Sequence, residues 1–194
     1  AEPPIANPLD LTTGDRRAKV SLSLNRKEVL PTAFATFAPA VNGDNFAFTN
    51  VPAGPYDDGL RETGSSSDFF VADVRESGRS IFDEGLTVRN TPVDFLEVVV
   101  GFDGGRIEGG VSGNRGTPVF VVLAPHPSRR QNGALYKTAQ QADFTRPFRF
   151  TGVAPGQYSI FAFEVNAPSE TVPYRNPDFL SRYENQGIPV TVER

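Results

Sequence analysis

Phe46–Tyr56 reads FAFTNVPAGPY, and Phe148–Tyr158 reads FRFTGVAPGQY. Six of the eleven positions are identical at an offset of 102, where average residue usage gives about one. The offset persists outside the motif. Gly85, Leu86 and Val88 fall on Gly187, Ile188 and Val190, and Ile5 and Leu9 fall on Ile107 and Val111. A chain that repeats itself at this distance reads as two related domains in tandem.

The motif has a mechanical meaning. Phe46 and Phe48, like Phe148 and Phe150, sit two apart, so each pair points to one face of a strand. Val-Pro-Ala-Gly and Val-Ala-Pro-Gly then read as tight turns: proline presets φ, and Gly54 or Gly156 supplies a positive φ. Tyr158–Glu164 (YSIFAFE) is a clear return strand. The corresponding return in the first half is expected to break at Asp57–Gly59 and in a polar loop to Ser67. Pairing then resumes at Asp68–Arg75, turns at Glu76–Gly78 and continues to Asp83.

Other strand candidates are Val20–Leu24, Ala33–Ala38, Phe95–Gly101, Arg106–Val111, Val119–Ala124 and Leu135–Ala139. Short runs separated by Gly, Pro and Asn are the mark of antiparallel sandwiches. The expected fold is therefore all-β, with two tandem antiparallel sandwiches at 1–101 and 106–194 joined by a linker at 102–105. One helix signal stands out, at Asn176–Gly187. Asn176 suits the cap, Pro177 the first turn, Asp178 the dipole and Gly187 the stop.

Composition removes several function classes. The 194 residues hold no Cys, which excludes disulfides, thiolate metal sites and cysteine nucleophiles. His126 is the only histidine, so a triad or a histidine-rich metal site has nothing to build on. The net charge of −4 gives no field for nucleic acid. Nearly all the cations are Arg; the lysines are Lys19, Lys27 and Lys137. No apolar run approaches the ~20 residues of a membrane helix, and no signal peptide is evident in the stretch. Met is absent, so Ala1 reads as a processed N-terminus or a cut in a longer protein. No cofactor is expected.

GRIEGGV, VFVVLAP, LYKTA, FRFTGVAPGQYSIFAFE and NPDFLSRYENQG follow one another in the second half. In that order they resemble the carboxypeptidase regulatory-like domain, a transthyretin-like β-sandwich of bacterial secreted and outer-membrane proteins. The PDFLxRYExxG segment resembles a subset in which a preceding sandwich ends in a strand like Leu96–Gly101. The resemblance covers about Arg16 to Arg194 and is strongest after Phe95. It implies an exported, non-catalytic module at the cell surface or outside it, and it brings no catalytic residues. Related starch-binding sandwiches stack sugars on aromatic platforms; here there is no Trp and five Tyr. A polysaccharide-binding accessory region and the periplasmic front of an outer-membrane receptor are the alternatives.

Other residues invite a site and have plainer readings. His126, between two prolines, reads as a loop histidine, and Arg129-Arg130 as a solvated loop rather than an anion grip. Asp57, Asp58 and Asp68 lack the spacing of a calcium loop. Lys19 or Lys137 could form an isopeptide only beside an Asn and a buried carboxylate. Ser65–Ser67 and Thr12-Thr13 lack a base partner.

Two features point to assembly. Val119–Ala124 and Tyr158–Phe163 are apolar on both faces, which a half-solvated strand is not. Either the chain's own helix or other domain covers Phe161 and Phe163, or a partner does. In addition, the counterpart of the closing strand Phe95–Val100 falls beyond Arg194, so the second domain reads as short of one strand. A donor strand can fill such a place. The candidate donor is the N-terminal segment, with Ile5, Leu9 and Leu11 in phase; the same residues also read as the first strand of their own domain, or as a loose tail. Pro4 and Pro8 restrict any such strand to an edge. The expected partner is a second copy, in an oligomer or a head-to-tail filament.

Overall fold

The computed structural model describes residues 9–13, 16–26, 36–62, 68–90, 95–112, 117–141, 147–165 and 172–193. The chain is all-β, in several antiparallel sheets with one short α-helix. It divides into two compact units. Unit 1 is Ala1–Ser67, Val71–Val100 and Asn132–Ala134; unit 2 is Asp68–Phe70, Gly101–Gln131 and Leu135–Arg194.

Unit 1 contains β1 (Leu9–Thr13), β2 (Arg16–Arg26), β3 (Thr36–Phe37), β4 (Ala40–Asn42), β5 (Asn45–Ala47), β6 (Gly54–Glu62), most of β7 (Phe70–Glu76), β8 (Arg79–Ser80), β9 (Leu86–Val88) and most of β10 (Leu96–Gly101). The largest sheet runs β1-β2-β6-β9, with β3 also on β2; β10-β7-β8 and the β4-β5 hairpin are separate. Leu22 and Leu24 alternate with serines along β2, and both are buried. They share the core with Tyr56, Val71, Val74, Ile81 and Leu86. The β7-β8 turn places Ser77 at φ 48° and Gly78 at φ 84°, the two positive values of a type I′ hairpin. Asp73 clamps that hairpin: it accepts from the Ser80 hydroxyl at 2.6 Å and from Arg75 Nε at 2.7 Å. These bonds hold its carboxyl below the usual range.

One expectation fails here. Asp57–Gly59 does not break the first return strand. β6 continues through it, with Asp57 opposite Asn25, Asp58 opposite Leu24 and Gly59 opposite Ser23. The long partner β2 supplies a ladder for every one of these residues, and that outweighs their poor strand propensity. The polar loop to Ser67 lies outside the described residues beyond Glu62.

Unit 2 contains β11 (Gly105–Gly109), β12 (Val119–Pro125), β13 (Lys137–Gln141), β14 (Phe148–Val153), β15 (Gly156–Glu164), the helix α1 (Pro177–Ser181) and β16 (Ile188–Val192). Four strands form the sheet β13-β12-β15-β16, and β11 pairs with β14. Gly105, assigned to the linker by its sequence, already pairs with Val153.

The helix begins as its sequence expects. Asn176 Oδ1 accepts from the Asp178 and Phe179 amides at 2.9 and 3.4 Å, Pro177 follows the cap, and Asp178 sits in the first turn. Its end differs. Gly187 is extended, with φ −69°, and closes a 3₁₀ turn at Glu184–Gln186. It is small because a Cβ there would stand 2.8 Å from the Phe161 ring, so the close approach, not a left-handed cap, excludes a side chain.

The repeat is visible in the ladders. Gly54 lies opposite Val88, and Tyr56 opposite Leu86. Their counterparts Gly156 and Tyr158 lie opposite Val192 and Val190. The pairing is slipped by two residues between the units, which leaves every side chain on the same face.

Candidate functional site

In unit 1 a cleft of about 750 Å³ lies among β5, β9 and β10. Leu24, Phe46, Phe48, Leu86, Val88, Leu96 and Val98 give it apolar walls; Asp44, Asn50, Arg89, Asn90 and Glu97 give it a polar rim. The Phe46 and Phe48 rings meet edge to face at 5.9 Å. Phe95 also lines it and is 65% exposed, which is unusual for a ring of that size. The described lining residues include no His, Lys, Tyr, Ser or Thr. They offer an apolar slot between two strands. Among the described residues β5 pairs only with β4, and β10 only with β7. Among the described residues neither strand pairs along its other edge, and both line the cleft.

The fold distributes the sequence-selected residues as follows. Leu9 and Leu11 lie in β1, opposite Val20 and Ala18 of β2. They form a strand of their own unit. Ile5 lies outside the described residues. Phe161 and Phe163 lie on β15 beneath the chain's own helix. Phe161 is 3% exposed in a cluster with Val122, Ala124, Tyr136 and Leu180, and Leu180 is fully buried. Phe163 meets Phe179 at 5.5 Å and Tyr183 at 5.3 Å. These contacts account for the second apolar face of β12 and β15 within unit 2, and they leave Phe161 no surface for a partner.

His126 is exposed and is a local cap. Its Nδ1 accepts from the Ser128 amide at 3.4 Å and lies 2.9 Å from the Ser128 hydroxyl. Asp57 and Asp58 belong to a ladder strand rather than a loop, and Ser65–Ser67 lie outside the described residues. Thr12 and Thr13 pair with Arg17 and Arg16, Lys19 with Asp10, and Lys137 with Leu123. Among the described residues the buried polar side chains are Arg130 and Asn132, neither of them the carboxylate an isopeptide requires.

No protein-family model, curated protein or solved structure matches this chain.

Two features were not legible in the sequence. Arg130 was expected in solvent, but its side chain is 4% exposed and ion-pairs with Glu184 at 2.7 Å. Its guanidinium carbon lies 6.0 Å from the centre of the Phe161 ring. The 54 positions that separate the pair leave no local pattern to find. The cleft is the second, because its walls come from four separated stretches. Its only sequence signal was the Phe46/Phe48 alternation.

Proposed function

We propose that this chain is a non-catalytic structural module of an exported, cell-surface assembly. In this reading the units are tandem transthyretin-like sandwiches of the carboxypeptidase regulatory-like type, and copies join head to tail by strand donation. The observation that carries it is that, among the described residues, β5 and β10 each pair along one edge alone and both line one apolar cleft. A free ladder edge beside apolar surface is a template for another strand, and natural proteins cover such edges. Main-chain hydrogen bonds would supply affinity and the apolar walls register. A contact of this kind uses different surfaces on the two copies, so it propagates unless its rotation closes a ring. Export is part of the same reading; among the described residues no helix is long and apolar enough to cross a membrane.

The test compares the full chain with a variant lacking Ala1–Asn7, which keeps β1, by light scattering and electron microscopy over a range of concentration. The reading expects polymers from the full chain and shorter species or monomers from the variant. A full chain that stays a monodisperse monomer at high concentration refutes it.

A further inference from the structure

We propose that Asn42 is a site of spontaneous covalent modification, where the exposed Asn42–Gly43 turn converts its own asparagine to aspartate and isoaspartate. The chain's other Asn-Gly pair, Asn132–Gly133, is held against the same reaction.

Asn-Gly occurs twice in the chain, at 42–43 and at 132–133. In this dipeptide an asparagine side chain meets the following backbone amide most readily, because glycine carries no Cβ to obstruct the approach. The reaction is a ring closure. The Gly43 amide nitrogen bonds to Cγ of Asn42, the Cγ–Nδ2 bond breaks, and Nδ2 leaves as ammonia with the proton of the attacking amide. Water then opens the succinimide at either carbonyl carbon. One opening gives aspartate. The other gives isoaspartate, in which the main chain runs through the former side chain. Water is the only co-reactant.

Local structure leaves the first pair open to this chemistry. Asn42 ends β4 opposite Asn45 of β5, and Gly43 and Asp44 are the two turn residues between them. Gly43 has φ 62°, the positive value that a type II′ turn gives its first central residue. In such a hairpin the ladder bonds close on Asn42 and Asn45, so the Gly43 amide is not one of them. Asn42 and Gly43 are exposed, and nothing lies within 4 Å of a Cβ placed on Gly43. The attacking nitrogen has room, and water reaches the ring.

The second pair is closed by its own side chain. Asn132 is 3% exposed. Its Nδ2 donates to the Phe82 carbonyl at 2.7 Å and to Asp83 Oδ1 at 3.2 Å, and its Oδ1 accepts from the Ala134 amide at 3.0 Å. All four residues belong to unit 1. Turning Cγ of Asn132 onto the Gly133 nitrogen gives up these bonds at a buried place, which is costly.

Position gives the product a consequence. β5 supplies Asn45, Phe46 and Ala47 to the cleft. Isoaspartate adds one methylene to the main chain at the end of β4, beside the turn that sets the register of those residues. Either product adds a negative charge two residues from Asp44 on the cleft rim.

The test is a time course on the full chain at neutral and mildly alkaline pH, folded and in concentrated urea. Trypsin separates the sites, because Asn42 falls in 28–61 and Asn132 in 131–137. Mass spectrometry with fragmentation locates each change of amide to acid, and an isoaspartyl methyltransferase assay scores the isoaspartate. In the folded chain Asn42 converts at least about tenfold faster than Asn132, which reacts only when its hydrogen bonds open. In urea the two rates converge, because those bonds are gone. Asn42→Gln, a surface change that leaves folding intact, abolishes the product at position 42. A folded chain in which Asn132 converts as fast as Asn42 overturns the protection. A folded chain in which Asn42 stays intact while urea releases both sites overturns the modification site.

Discussion

Asn50 and Gly152 stand 102 positions apart and share a left-handed backbone, with φ 57° and 58°. Four residues on, Gly54 and Gly156 agree as closely, at 151° and 155°. The hydroxyl of Tyr56 donates to the Pro52 carbonyl at 2.9 Å, and that of Tyr158 to the Ala154 carbonyl at 2.8 Å. The repeated motif is therefore a repeated turn, locked by a tyrosine that reaches back four residues. Asn and Gly are the residues that enter the left-handed region most cheaply, which explains why position 50 and its counterpart differ in identity and agree in shape.

The first prediction concerns that backbone. Asn50→Gly changes the unfolding free energy by less than about 0.5 kcal/mol, whereas Asn50→Val costs about 1–2 kcal/mol, because a β-branched residue is strained at positive φ. Gly156→Val costs at least as much. Gly110→Ala is the control, since nothing lies within 4 Å of a Cβ placed there. Urea unfolding measures all four, and equal effects of Gly and Val at position 50 contradict the turn assignment.

A second prediction uses alkaline pH. Burial pushes the phenols of Tyr136 and Tyr158 from 10.0 up to about 12. The native state then holds these protons more tightly than the unfolded chain does. The stability they lend is complete below pH 10 and is lost as pH rises from 10 through about 12. Urea midpoints should be level to about pH 10 and fall above it, with phenolate absorbance rising late. Tyr158→Phe costs about 1 kcal/mol at neutral pH through its lost turn bond and flattens the alkaline fall. A wild-type midpoint level to pH 12 refutes the account.

The third prediction separates the two partners of the buried ion pair. Glu184→Gln leaves the Arg130 cation uncompensated beneath the helix, at a cost of about 1–3 kcal/mol; the exposure of Glu184, 38%, keeps this below the cost in a dry core. Arg130→Met removes the charge, keeps apolar volume beside Phe161 and costs less. Chemical denaturation of both variants checks the order. A larger loss in Arg130→Met means that the guanidinium contributes through contacts other than the pair.

The fourth prediction concerns Gly187. Its extended backbone suits any residue, so the cost of Gly187→Ala is steric: the new methyl meets Phe161. The expected loss is about 1–3 kcal/mol, and Phe161→Leu, combined with it, restores part of that loss. If the two losses simply add, the ring and the methyl do not meet.

Strand content, the turn glycines and the helix cap were legible in the sequence because each is set within a few residues. The Phe-x-Phe alternation, the Val-Pro-Ala-Gly turn and the Asn-Pro-Asp start all act through nearest neighbours and local backbone preference. The repeat was legible too, because it needs only the chain compared with itself. Tertiary structure decided the rest. It carried β6 through Asp57–Gly59, because β2 offered a continuous ladder there. Packing laid Leu180 over Phe161, so an apolar face that suggested a partner is covered by the unit's own helix. It drew Arg130 out of solvent to Glu184, and it brought four separated stretches together around one apolar groove. Each of these depends on which distant stretch arrives alongside, and that is fixed by burial and ladder completion across the whole unit rather than by any local pattern.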